Sequence, residues 1–323
     1  MTSPGAPYPR LVADIGGTGC RLGWVAEQGA AVTDIVAEDR ALGPEAAVAR
    51  YLERRVGRPR SAAFAVAAPV VGDALRMTNR NWSFSIRDLE QRLGLARLVV
   101  VNDFAALARG LPLLGDGDTM RVGGGAPVDG AAMAVLGPGT GLGVAGLVPA
   151  PAGPTVVVGE GGHVSLAAAT PREDAVVAVL RARFGHVSAE RALSGAGLVN
   201  LHDALRAVDG LPAQRRSAAQ ITGADGLAAG EPTCVEAVAL FFAFLGSVAG
   251  DLALTLGARG GVYVAGGIVP RLGAAIAAAP FRARFEAKGR YRAYLEAIPT
   301  AVIGDAASLA LRGANAALDG AGG

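Results

Sequence analysis

Apolar positions fall first into short runs broken by glycine, and later into long helical spacings. RLVADI (10–15) has the pattern of a compact strand, GGTG makes a turn, and CRLGWVAE (20–27) and AAVTDIVAE (30–38) read as second and third strands. PEAAVARYLERR (44–55) has helical spacing, with Pro44 suited to an early helical position. SAAFAVAAPV (61–70) is apolar enough for a buried strand, VVGDALRMTN (70–79) reads as a turn and another strand, and SIRDLEQRLG (85–94) as a helix ending at Gly94. LARLVVV (95–101) is then a strand that delivers Asn102 and Asp103, and AALARGL (105–111) resumes the helical spacing. Three adjacent strands followed by alternation with helices predict an α/β fold.

After residue 115 the pattern restarts. MAVLGPGTGLGVAGLV (133–148) is again strand, glycine turn, strand. Helical spacing dominates residues 171–257, a βα unit follows at GGVYVAGGIVPRLG (260–273), and SLALRGANAAL (308–318) has the spacing of a helix that packs back on the first half. The two similar halves predict a two-lobed protein with a central cleft: a small α/β domain of residues 1–113 plus 304–323, and a large one of 114–303. GHVS occurs at 162–165 and at 185–188, with flanks that do not repeat, so it reads as coincidence.

Of 323 residues, 51% are apolar and 18% charged, and the net charge is only +2. That is a globular composition with ample core. With no block of like charge, neither nucleic acid nor an anionic membrane surface is an expected partner. AVALFFAFLGSVAG (237–250), between Glu236 and Asp251, is too short to span a bilayer and reads as a buried core helix. The N-terminus lacks the apolar stretch of a signal peptide. Cys20 and Cys234 give no disulfide framework and no zinc spacing, which fits a reducing cytoplasm.

Several stretches carry candidate chemistry. In DIGGTG (14–19) an acid at a strand end precedes a glycine turn; backbone N–H groups there can bind phosphate oxygens, Thr18 adds a hydroxyl, and Asp14 can hold magnesium through water. An ordinary hairpin turn explains the same residues. GPGTGLG (137–143) is a second such loop, and the pair suits a polyphosphate gripped from both lobes; neither is a P-loop, since no lysine follows. VAGGIVP (264–270) ends a strand on two glycines, as a site for an adenine ring or as a compact βα turn. EGGH (160–163) pairs an acid with an imidazole, but no second His or Cys lies nearby to complete a metal site. In SAER (188–191), Ser188 is placed to cap a helix and Glu190 suits its first turn. Asn102 and Asp103 have two readings: helix capping, or a site at the carboxyl end of a strand in an open sheet.

Together these stretches resemble the bacterial ATP-dependent glucokinases of the hexokinase/actin-like superfamily. The resemblance runs from Asp14 to the C-terminal helix. It is carried by DIGGTGCR (14–21), MTNRNWSFSI (77–86), VVNDF (100–104), GPGTGLGVA (137–145), GEGGHVS (159–165), GHVSAERALSGAGLVNL (185–201), VAGGIVPR (264–271) and FRARFEAKGR (281–290). It implies a two-lobed actin-like, ribonuclease-H-like sugar kinase fold, D-glucose and ATP as substrates, Mg2+ as cofactor, and a cytoplasmic homodimer. Matched residue by residue, it implies Asp103 as general base and Asn102, Asp103, Glu160, His163 and Glu190 as sugar ligands. Ala13, Asp14, Ile15, Gly16, Gly17, Thr18, Gly139, Thr140, Gly141, Gly266 and Gly267 would line the nucleotide. Two departures stand out: Gly19 where the family usually has Asn, and GDAASLALRG (304–313), which lacks a common Asn-Pro. The neighbouring repressor–kinase (ROK) branch also has an acid-glycine-His stretch but adds a Cys-rich zinc motif, whereas Cys234 stands alone. A non-catalytic sugar-sensing regulator would need a DNA-binding segment, and here the first strand begins by residue 10.

Overall fold

The computed structural model describes residues 6–16, 20–38, 43–76, 83–151, 153–273 and 275–320. The chain divides into two compact units. One comprises Met1–Asp118, Val156–Val158 and Asp305–Gly323; the other comprises Thr119–Thr155 and Gly159–Gly304.

The first unit begins with strands β1 (Arg10–Ile15), β2 (Cys20–Val25) and β3 (Thr33–Glu38), then helix α1 (Pro44–Glu53) and β4 (Ser61–Val66). It continues with β5 (Ala74–Arg76), β6 (Ser83–Ser85), α2 (Ile86–Arg92), β7 (Arg97–Asn102) and α3 (Asp103–Gly110). The main sheet has the order β3-β2-β1-β4-β7. β1 runs antiparallel to β2 and parallel to β4, which is parallel to β7. All six residues of β4 are buried, as expected for an apolar run with a strand on either side. The expected second strand near 70–79 is β5, paired with β6 in a separate two-stranded sheet. Residues 77–82, the MTNRNW of the MTNRNWSFSI motif, lie outside the described residues.

The chain continues with β8 (Thr119–Gly123), β9 (Met133–Pro138), β10 (Leu142–Val148) and β11 (Thr155–Gly159); of β11 only Thr155 and Gly159 fall in the second unit. Helices α4 (Pro171–Phe184), α5 (Gly195–Val208), α6 (Ala218–Thr222) and α7 (Pro232–Leu256) follow, then β12 (Val262–Val264). Four short helices, α8 (Val269–Leu272), α9 (Ala275–Ala278), α10 (Phe281–Glu286) and α11 (Arg292–Glu296), lead to β13 (Thr300–Ile303). The sheet order is β11-β10-β9-β12-β13-β8. β9 pairs antiparallel with β10 and parallel with β12, as β1 does with β2 and β4. The restart seen in the sequence is thus a repeated sheet, with β8 added antiparallel at one edge.

The apolar run at 237–250 belongs to a longer helix than its composition suggests. Glu231 caps α7 by accepting the Cys234 N–H at 2.7 Å, so the helix extends over 25 residues, long and apolar enough to cross a bilayer. In its most apolar window 67% of the residues are buried within the protein. Phe241, Phe242, Phe244 and Leu245 are among its core side chains. Gly246 and Gly250 let the backbone of α10 approach: a Cβ at Gly246 would stand 2.1 Å from the Phe281 carbonyl oxygen.

The chain returns to the first unit with α12 (Ala306–Ala317), which packs on α3. At Gly313 an added Cβ would lie 1.8 Å from the Ala106 carbonyl oxygen, so the two backbones touch there. The fully buried Arg10 of β1 donates to the Ala6 carbonyl, to Asn315 Oδ1 at 3.1 Å and to Asp319 Oδ1 at 2.5 Å.

Candidate active site

In the first unit, parallel strands β1, β4 and β7 end on one edge of the sheet. The register aligns Asp14 with Ala65 and Val101, and Ile15 with Val66 and Asn102. Asp14 and the Asn102–Asp103 pair therefore reach the carboxyl ends of strands on either side of β4, where open α/β sheets bind ligands. Burial raises the Asp14 carboxyl to about 7, and the charges of Asp103 and Asp305 push in the same direction against Arg21. Arg21, opposite Asp14 in β2, also faces Asp305 at 3.6 Å. Three carboxylates thus share a field with Arg21 as the opposing charge named.

Both readings of Asn102 hold at once. It is the N-cap of α3, its Oδ1 accepting Phe104 N–H at 2.9 Å and Ala105 N–H at 3.2 Å. Among the described residues the amide Nδ2 makes only a long contact, to the Ala68 carbonyl at 3.4 Å, so it is the end suited to a ligand. Asp103 occupies the first turn of α3, where the positive end of the helix dipole stabilises a carboxylate, and accepts Phe104 N–H at 2.9 Å. Ala13 and Ile15 are buried in the sheet, which limits them to backbone contacts with any nucleotide. Gly16 is partly buried; Gly17, Thr18 and the divergent Gly19 lie outside the described residues.

In the second unit the predicted residues gather around Leu142. Residues 139–141 close the β9–β10 hairpin, with Gly139 N–H donating to the Gly141 carbonyl at 2.8 Å and Thr140 exposed at the tip. Gly266, at φ +85°, sits where a Cβ would be 2.3 Å from the Pro138 carbonyl oxygen, so the VAGG turn lies against the hairpin. Added Cβ atoms at Gly139 and Gly267 would meet nothing within 4 Å, which leaves open backbone beside this contact. Glu160 and His163 bracket a single 3-10 turn, and both are exposed. That turn rests on β10: a Cβ at Gly162 would be 2.1 Å from the Leu142 carbonyl oxygen.

Ser188 does not cap a helix. Ala189–Arg191 is one 3-10 turn whose Ser188 hydroxyl makes no capping bond. Ser188 instead forms an antiparallel bridge with Ser165, flanked by Leu166 N–H to Val187 carbonyl (2.9 Å) and Ala189 N–H to Val164 carbonyl (2.8 Å). The two GHVS stretches therefore pair with each other, and Ser165 Oγ lies 3.1 Å from His186 Nε2. This pairing brings Glu190 to the hairpin, where its Oε2 accepts the Leu142 N–H at 2.8 Å. Sequence reasoning did not single out Leu142, Arg21 or Asp305; their parts depend on tertiary contacts, although the i,i+7 spacing of Asp14 and Arg21 across a hairpin is a readable hint.

The family model for Glucokinase matches residues 11–321. A glucokinase of Aromatoleum aromaticum is 54% identical over 97% of this chain and 96% of its own length. The crystal structure of a glucokinase from an Antarctic psychrotroph superposes with a TM-score of 0.87 at 35% identity, covering 96% of this chain and 98% of that one. A ROK family glucokinase from Streptomyces griseus, solved with glucose and AMPPNP, shares the fold at a TM-score of 0.63 and 22% identity, covering 96% and 98%. With its repeated β-sheets in the actin-like arrangement of these kinases, the chain belongs to the Glucokinase family.

Proposed function

We propose that Asp103 is the general base of an ATP-dependent glucokinase. The reaction is transfer of the γ-phosphoryl of ATP to the 6-hydroxyl of D-glucose, giving glucose 6-phosphate and ADP. The observation that supports this base is the place of Asp103 at the carboxyl end of β7, in the first turn of α3 and in the field of Asp14. A carboxylate in this place can accept a hydroxyl proton as the phosphoryl arrives.

Asn102 Nδ2 donates to a sugar hydroxyl in this reading, while Oδ1 keeps α3 capped. Glu160, His163 and Glu190 supply further acceptors and donors to the hydroxyls of a neutral sugar. Once a bound sugar covers them, polar partners of this kind reject a sugar that lacks a matching hydroxyl. Backbone N–H groups of Gly16–Thr18 and Gly139–Gly141 hold phosphate oxygens, and the open backbone at Gly267 receives the adenosine.

Mg2+ fits the first unit, because burial first, and then the charges of Asp103 and Asp305 against Arg21, raise Asp14 to about 7, and a cation there would offset both. Asp14 would hold the ion through water. When bound with ATP, Mg2+ supplies charge neutralisation for the transferring phosphoryl. We further assign the enzyme to the cytoplasm, at the entry of glucose catabolism, and to a homodimer. The scarcity of cysteine, two in the chain, suits a reducing compartment, and the family resemblance suggests the dimer.

A coupled assay over a panel of hexoses tests the substrate, with glucose expected to be turned over best. Asp103→Ala should lower kcat by about 10²- to 10⁴-fold, with glucose binding by calorimetry retained. Near-normal kcat in that folded variant removes Asp103 from the role. Light scattering on the eluting peak gives the oligomeric state.

A further inference from the structure

Outside the residues assigned to sugar and nucleotide, α5 and the start of α7 bring together a histidine, a glutamate and a cysteine. One ligand atom from each of His202, Glu231 and Cys234 lies within 4.8 Å of the others. Among the described residues no other such group of three is found. His202 and Cys234 are both fully buried.

The imidazole of His202 is the informative member. Its Nδ1 lies 3.3 Å from Asp203 Oδ1, whereas Nε2 is buried and has no hydrogen-bond partner among the described residues. A buried nitrogen left unpaired costs free energy, and an apolar residue would serve a core position better. With Nδ1 protonated and donating to Asp203, Nε2 carries an unused lone pair inside the protein. A carboxylate behind the distal nitrogen is the arrangement that fixes the tautomer of metal-ligating histidines.

We propose that His202, Glu231 and Cys234 form a zinc site that fastens α5 to the first turn of α7. One nitrogen, one oxygen and one sulfur suit Zn2+, which accepts all three in a tetrahedron. Three protein ligands leave the fourth position to a water molecule. Glu231 accepts Cys234 N–H through Oε2 and also accepts from the Cys234 thiol and from Thr233, so a metal here would take the place of the thiol proton between Cys234 and Glu231. The three ligand atoms already lie within 4.8 Å of one another, so binding needs at most a small closing movement. The balance is simple: Zn2+ enters, the Cys234 thiol loses its proton to solvent, and the thiolate bonds the metal. The site shares no residue with those assigned to sugar and phosphate, so its effect is on the stability of the second unit.

The test uses the purified full chain, stripped with a chelator and then titrated with Zn2+ or Co2+. We expect one equivalent to bind, a rise in thermal midpoint with Zn2+, release of about one proton per metal at neutral pH, and a thiolate-to-cobalt charge-transfer band with Co2+. Cys234→Ser and His202→Phe should abolish the band and the thermal shift while glucose turnover without zinc persists; Cys20→Ser should change neither. Asp203→Asn should weaken binding by about 10- to 100-fold. The wild-type spectrum decides the matter even if the variants fold poorly. Absence of the charge-transfer band, a band that survives Cys234→Ser, or binding as weak in wild type as in His202→Phe overturns the proposal.

Discussion

Glu190 Oε2 accepts the backbone N–H of Leu142 at 2.8 Å, and a Cβ at Gly141 would stand 2.3 Å from the same oxygen. A carboxylate proposed to hold sugar is thus braced on the loop proposed to hold phosphate. Glutamine can keep the bond to Leu142 but not the charge; alanine keeps neither. Glu190→Gln should raise the KM for glucose and leave that for ATP nearly unchanged. Glu190→Ala should raise both, the latter by about tenfold, the scale of a lost hydrogen bond to a charged group. Equal ATP KM values in the two variants would show that the bond does not order the loop.

Asp14 makes stability depend on pH in an unusual direction. Burial chiefly, and then Asp103, raise its carboxyl from the ordinary 3.8 to about 7 in the folded protein. Its protonated form favours folding, so this contribution is complete below about pH 4 and lost as pH rises through 7. Asp14→Asn should remove that slope and stabilise the protein at pH 7 by on the order of 1–3 kcal/mol. Thermal midpoints of both proteins from pH 4 to 8 check this against the wild-type slope; parallel curves would mean that Asp14 titrates normally. Without Mg2+ and nucleotide the effect should be largest.

The two glycines around Leu142 should fail differently. A Cβ at Gly162 meets the Leu142 carbonyl oxygen at 2.1 Å, a backbone atom of a sheet strand that cannot yield cheaply. A Cβ at Gly141 meets the end of the Glu190 side chain, which can rotate away. Gly162→Ala should destabilise the protein by about 1–3 kcal/mol or more. Gly141→Ala should fold nearly normally but lose affinity for glucose as Glu190 is displaced. Denaturation and Michaelis constants of the pair separate the cases; matching stability losses would refute the distinction.

Glu160→Ala and His163→Ala should each raise the glucose KM sharply and leave the ATP KM alone. Turnover should survive a zinc-selective chelator when magnesium is in excess. Loss of activity under those conditions, restored by added zinc, would make the EGGH turn a metal site instead.

How far the sequence could be read followed from how local each feature is. β1, β4 and β7 were legible because each is a short apolar run ending in polar or glycine residues, and Asn102 advertised its cap through the acid and the helical spacing after it. The edge strand β8 escaped notice since TMRVG is half exposed and carries no alternation, and β13 since it has four residues. Ser188 was misread as a cap because local chemistry favours it, whereas a bridge to Ser165, 23 positions earlier, claims its backbone. The bond from Glu190 to Leu142 spans 48 positions and follows from that bridge, which no periodicity reports.

Arg10 and α12 set the order in which the protein can be completed during synthesis. The first sheet is translated early, but the helix that covers it and the Asp319 that pairs with Arg10 follow the whole second unit. At 5–20 residues per second, the intervening Thr119–Gly304 keeps the ribosome occupied for roughly ten to forty seconds. Over that interval the α3 surface around Ala106 and Gly110, later covered by Leu309 and Gly313, faces solvent or a chaperone. The nascent chain therefore carries the strand ends bearing Asp14 and Asp103 well before the fold that holds them is closed.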